Sequence, residues 1–137
     1  MSKYEVSTIT LAEQCHLIGA LCDMGYEPEV HVEGAPLVGY QGDVRPERAH
    51  VIIRRRQLDS ASNDIGFARD GSGAYRAIVS EYDRSIGFND AWLGRLAQCY
   101  KERQTMAVAK AKGYVYRGRE VIETPQGRKV QLRFAVR

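Results

Sequence analysis

The residues that could act as catalysts are scattered along the chain. His16 falls on a helix flank, His31 in mid-strand and His50 at a strand start. No Gly-x-Ser-x-Gly elbow presents a serine. Nothing in the spacing brings a histidine to a hydroxyl and a carboxylate together. Asp64 at a strand start, with Glu81 and Asp83 after a later strand, is the one acidic set of interest. Convergence of these three with His50 would support acid–base or divalent-ion chemistry on nucleic acid. Glu81 and Asp83 are two apart, so a regular strand would place them on one face without making a cage. Ordinary strand-end chemistry is the plainer expectation, and no catalytic residue is assigned.

Cationic residues are more informative. From Arg95 to the end the chain holds 11 basic and 3 acidic residues, a net of +8. Tyr100, Tyr114 and Tyr116 are interleaved with them. Arginine and tyrosine on an open sheet face contact phosphates and stack on bases. The expected contact set is Lys101, Tyr116, Arg117, Arg119, Lys129, Arg133 and Arg137. No RNP sequence, KH loop or zinc finger accompanies it.

Metal and cofactor patterns are missing from the sequence. The three cysteines form no Cys-x-x-Cys and no Cys/His set with zinc spacing. Cys15 and Cys22 are in helical register with Leu11 and Ile18, and Cys99 sits similarly in a second helix. All three are expected to be buried thiols behaving as small hydrophobes. The segment 34–46 is punctuated by Gly and Pro but matches neither a dinucleotide nor a Walker pattern. It reads as a loop with a short strand. No metal and no cofactor is expected.

The elements that must position these residues follow from periodicity. Tyr4 and Val6 alternate as in a half-buried strand. Thr10 and Glu13 form a capping box for a helix over 11–24 that Gly25 ends. Val30 and Val32 mark a strand, and 49–57 reads as another, with Val51 and Ile53 facing opposite to Ile52. Asp70-Gly71 between alternating runs predicts a hairpin. Asn89 caps a second helix, with Phe88 stapled to Leu93 and an apolar face of Trp92, Leu93, Leu96, Tyr100 and Ala107. Two closing strands follow Gly113, in the last of which Val130, Leu132, Phe134 and Val136 point inward. The order is β-α-β-β-β-β-α-β-β: an α+β fold with both helices on one face of an antiparallel sheet.

At 137 residues the chain fits one domain of ordinary size, read as 1–137. Its hydrophobic fraction of 44% and charged fraction of 27% are globular averages. No apolar run approaches a membrane span, and the start lacks the basic and apolar regions of a secretory signal. A cytoplasmic location is expected. The net charge of +3 hides an asymmetry, −5 over residues 1–50 and +8 over 51–137. Such asymmetry points to an acidic partner for the basic part.

The order of several short motifs resembles a known family. They are Met1-Ser2-Lys3-Tyr4 with Thr8, Met24-Gly25-Tyr26, Val38-Gly39-Tyr40-Gln41-Gly42, and Ala49-His50-Val51-Ile52-Ile53-Arg54. Asp64-Ile65-Gly66-Phe67, Tyr75 to Val79, Gln98-Cys99-Tyr100 and Lys112-Gly113-Tyr114 follow. The chain is similar to the hypothetical chloroplast reading frame thirty-five family, a group of unknown function, over nearly its whole length. It departs at Asn63, where an aromatic is usual, in a longer 34–46 segment, and in more arginine near the end. The resemblance implies an accessory protein, because genes of that family often neighbour genes of AAA-type ATPases. It implies no catalytic residue. The expected function is a non-enzymatic binding or adaptor domain whose basic C-terminal face meets nucleic acid or a protein such as an AAA-type ATPase. An enzyme using Asp64, Glu81 and Asp83, and a structural homo-oligomer subunit, are the alternatives.

Overall fold

The computed structural model describes residues 2–136, with side chains for all but residues 8–11. It has seven strands and three α-helices among the described residues: β1 Tyr4–Leu11, α1 Gln14–Asp23, β2 Glu29–Val38, β3 Val44–Ile53, β4 Ile65–Arg69, β5 Tyr75–Ser80, α2 Glu81–Ser85, α3 Asp90–Ala111, β6 Tyr114–Thr124 and β7 Gly127–Val136. The order matches the sequence reading, with α2 added. Two compact units divide the chain, Met1–Tyr100 and Lys101–Arg137, and the division falls within α3.

The first unit is built on an antiparallel sheet in the order β1-β5-β4-β3-β2. Strand alternation sends Val51, Ile53, Ile65, Phe67, Tyr75, Ala77 and Val79 to one face, where Leu17, Ala20 and Leu21 of α1 and Trp92, Leu93, Leu96 and Tyr100 of α3 cover them. Each large apolar side chain so buried stabilises the fold by about 1.5–3 kcal/mol. The opposite face carries a smaller cluster of Tyr4, Leu37, Ala49, Ile52 and Ile78. Both helices therefore pack on one face, as expected.

Several local expectations are corrected. Thr10 continues β1, because pairing with β5 extends to Leu11 opposite Tyr75; the side chains of Thr10 and Leu11 lie outside the described residues. Glu13 is the N-cap of α1 and makes no side-chain cap. The Tyr100 hydroxyl instead accepts from the Ala12 and Glu13 amides at 3.2 and 2.9 Å. The buried stripe of α1 is Leu17, Ala20 and Leu21, rotated from the one expected, so Cys15 and Cys22 are exposed and Cys99 is only partly buried. Leucine offers more apolar area than cysteine and takes the sheet-facing side.

The segment 34–46 is mostly strand. β2 runs on through Gly34 and Pro36, β3 starts at Val44, and the turn is confined to residues 39–43. Register shifts between Val30 and Ala35 and between Pro36 and Val38 bend this hairpin. Val6 is exposed rather than half-buried, as is Val32. On α3, Asn89 caps as expected, its Oδ1 accepting from the Ala91 and Trp92 amides at 3.1 and 3.2 Å. Phe88 packs edge-on to Trp92, with ring centroids 5.2 Å apart. Ala109 is buried where Ala107 was expected to be, and Val136 is exposed.

The second unit holds the far half of α3 and the β6–β7 hairpin. Its register runs from Tyr114 opposite Val136 to Thr124 opposite Gly127. Arg117 is the extra residue of a bulge, because Tyr116 and Gly118 face Phe134 and Arg133. Gly118 supplies the positive φ of 146° at this bulge. Among the described residues no helix is long and apolar enough to cross a membrane.

Candidate functional site

Asp64 is fully buried at the start of β4. Its Oδ2 accepts from the Val38 amide at 2.8 Å and from Arg54 Nη1 at 2.8 Å; its Oδ1 accepts from the Arg55 amide at 2.7 Å. The Tyr4 hydroxyl donates to the Asp64 carbonyl at 2.8 Å. One carboxylate thus ties β2, the end of β3 and the turn after it. Burial, reinforced by the negative charge of Asp64, raises the Tyr4 pKa well above the usual phenol range, against the opposing pull of Arg45. Arg54 also reaches Glu29 at 3.0 Å, where His31 Nε2 lies 2.9 Å from the same oxygen. The His31 bond, joined by Arg54 and opposed by desolvation, holds the Glu29 carboxyl below its ordinary range.

Next to Asp64, Asn63 is fully buried. Its amide donates to Asp83 Oδ2 at 3.0 Å, its Nδ2 to Ser80 Oγ at 2.9 Å, and its Oδ1 accepts from the Tyr40 amide at 3.0 Å. Asp83 also accepts from Ser80 Oγ at 2.6 Å, while Ser80 Oγ caps α2 by accepting from the Asp83 amide at 3.1 Å. Gly66 completes the group. A Cβ there would lie 2.6 Å from Ala49 Cβ and 2.9 Å from Leu37 Cδ2. The run Asp64-Ile65-Gly66-Phe67 is a fastening: a carboxylate anchor, two core side chains and a gap that admits Leu37.

Asp64 and Asp83 are therefore brought together through Asn63, with their oxygens taken up largely by the protein itself. Glu81 is exposed. His50 accepts the Arg69 amide on Nδ1 at 3.0 Å, at the far end of β4 from Asp64. Five strand residues separate those ends, about 17 Å. A cleft of about 320 Å³ opens beside Asn63, lined also by Ser2, Tyr40, Ala61 and Tyr82. At its rim the Tyr82 hydroxyl donates to Asp59 Oδ2 at 2.8 Å, which raises the Tyr82 pKa and lowers that of Asp59.

One group among the described residues offers three metal-ligand types. Glu13, Cys15 and His16 place ligand atoms within 4.8 Å of one another at the start of α1. Glu13 approaches Nε2 of His16 at 3.1 Å and Cys15 approaches Nδ1 at 3.8 Å. The two contacts use opposite ring nitrogens, and Glu13 and Cys15 are exposed. Sequence spacing misses the trio because Cys15 and His16 are adjacent and match no zinc pattern.

The second unit carries 10 basic and 3 acidic residues, a net of +7. Each acid has an arginine. Glu102 takes Arg119 in a two-pronged contact, Nε and Nη2 both at 3.0 Å. Glu123 meets Arg128 at 3.4 Å, and Glu120 holds Arg133. Lys101, Lys110, Lys112, Arg117 and Lys129 are exposed, with no acidic partner among the described residues. Cross-strand pairing puts Tyr116, Arg119 and Phe134 on one hairpin face and Lys129, Gln131 and Arg133 on the other. The expected contact set is thus divided between two faces, and Arg137 lies outside the described residues. The Tyr116 and Phe134 rings are tilted against each other at 5.9 Å. A cleft of about 330 Å³ lies within this unit, lined by Gln104, Thr105, Val108 and Ala109 of α3, by Lys112 just past its end, and by Tyr114 and Phe134.

No curated protein and no solved structure gives a match to the chain. A family model described as "Protein of unknown function (DUF1257)" matches residues 20–130, so the chain belongs to that family.

Proposed function

We propose that this chain is a non-enzymatic binding or adaptor protein, of the kind the hypothetical chloroplast reading frame thirty-five family represents, and that its second unit engages an acidic partner. The observation that carries this reading is the charge balance of residues 101–137. Three acids are each met by an arginine, and five further cations stand exposed without an acidic partner among the described residues. Uncompensated surface charge steers oppositely charged partners and raises their association rate. The partner is a nucleic acid or an acidic protein surface such as that of an AAA-type ATPase. The exposed thiols of Cys15 and Cys22 suit the reducing cytoplasm in which we place the protein.

The enzymatic alternative through Asp64, Glu81 and Asp83 draws less support. Asp64 and Asp83 act as acceptors for backbone and side-chain donors, and Glu81 is exposed at the start of α2. Affinity purification from the native cell, with and without nuclease, tests the proposal. A partner held by the wild-type chain and lost from Lys112→Glu/Lys129→Glu is the expected result. Equal capture by the variant would remove the second unit from the interaction.

A further inference from the structure

The cleft of the second unit has an apolar floor with one cation, Lys112, in its lining. Thr105 and Val108 line it from α3, Lys112 from the residue just past the end of that helix, and Tyr114 and Phe134 from the hairpin. Lys101 lies on the same helical stripe, at i relative to i+4, i+7 and i+11. Eleven residues of helix separate the two lysines by about 16 Å. Val108 is 51% exposed and Tyr114 39%, so the floor is open to solvent. Neither lysine has an acidic partner among the described residues.

We infer that this cleft receives an acidic protein segment carrying one aromatic or aliphatic anchor, with acids on either side of the anchor. The inference rests on the cationic-unit reading above and narrows its partner class. Six residues of extended chain make five steps and span about 16 Å, so the pattern acid-x-x-anchor-x-acid sets its acids and anchor at the spacing of Lys101, Val108 and Lys112 along the helical stripe. Charge complementarity selects the flanks, and burial in the cleft selects the anchor.

A nucleic acid fits the same surface less well. Its strand carries a phosphate at every nucleotide, whereas here two cations flank an apolar stretch. Tyr116, the aromatic expected to stack on a base, is packed against Phe134. Arg119 and Arg133, two arginines expected on phosphates, already hold Glu102 and Glu120.

Fluorescence anisotropy on the intact chain tests this with three probes: a peptide with the core Asp-Glu-Glu-Phe-Glu-Asp, the same peptide with glycine for phenylalanine, and single-stranded oligo(dT). The phenylalanine probe is expected to bind about tenfold tighter than the glycine probe, the gain from partly burying one such side chain. Val108→Asn is expected to erase that advantage while leaving the thermal melt in place, since Val108 is half exposed. Lys112→Glu should weaken both peptides. Equal binding of the two peptides, or oligo(dT) displacing the phenylalanine probe, would overturn the inference and leave the cationic reading standing. No binding of any probe at low salt would overturn both.

Discussion

The turn at Asn63–Asp64 and the β6–β7 hairpin are both rich in polar side chains, and they use them in opposite ways. In the first, every carboxylate oxygen of Asp64 and Asp83 except the buried Oδ1 of Asp83 is bonded to a named partner, so their role is to hold strands and turns in register. In the second, cations are exposed and outnumber the acids that could neutralise them. A polar group whose bonds are made inside the protein is architecture. One left unmatched at the surface is available to a partner. The residues that look most catalytic in the sequence belong to the first kind.

The largest way to break this contrast is Asp64→Ala. It leaves two part-buried amides and part of Arg54 without an acceptor, and a loss of about 3 kcal/mol is expected in urea denaturation. Gly66→Ala should follow, at about 1–3 kcal/mol, because its methyl overpacks against Ala49 and Leu37; the same melt measures it. Tyr4→Phe removes the bond to the Asp64 carbonyl and should cost about 1 kcal/mol at neutral pH.

Tyr4 also sharpens the pH behaviour. Its pKa in the fold is raised above the unfolded value, so its contribution is complete below about pH 10 and is lost as pH rises beyond that. Tyr4→Phe should therefore flatten the alkaline end of the stability curve. At the other extreme, Glu102→Ala breaks an exposed pair with Arg119 and should shift stability by less than about 1 kcal/mol. A large loss there would show the second unit to be held by its ion pairs, contrary to the contrast drawn here.

Much of the fold was legible because periodicity reports burial directly. Trp92, Leu93, Leu96 and Tyr100 read as one apolar helix face and are core, and Val51 and Ile53, read as sharing a strand face, lie in the same cluster. The start of α1 was not legible, since a local Thr-x-x-Glu pattern competes with strand pairing to Tyr75 and with a cap from Tyr100, nearly ninety residues away. The fate of Cys15 and Cys22 turned on which side of one helix leucine claimed. At the surface, the Glu123–Arg128 pair follows from hairpin register, whereas Glu102–Arg119 depends on tertiary placement that no local spacing encodes. The cleft at Val108 was hidden for the same reason.

The central claim is that binding resides in the cations of the second unit and not in cationic residues generally. A salt series of poly-aspartate binding tests it most directly, comparing Lys112→Glu/Lys129→Glu with Arg56→Glu/Arg95→Glu, whose arginines are exposed in the first unit. Binding at low salt, weakened by the first pair of reversals and little changed by the second, is the predicted result. Equal losses from both pairs, or no binding by the wild-type chain, would contradict it.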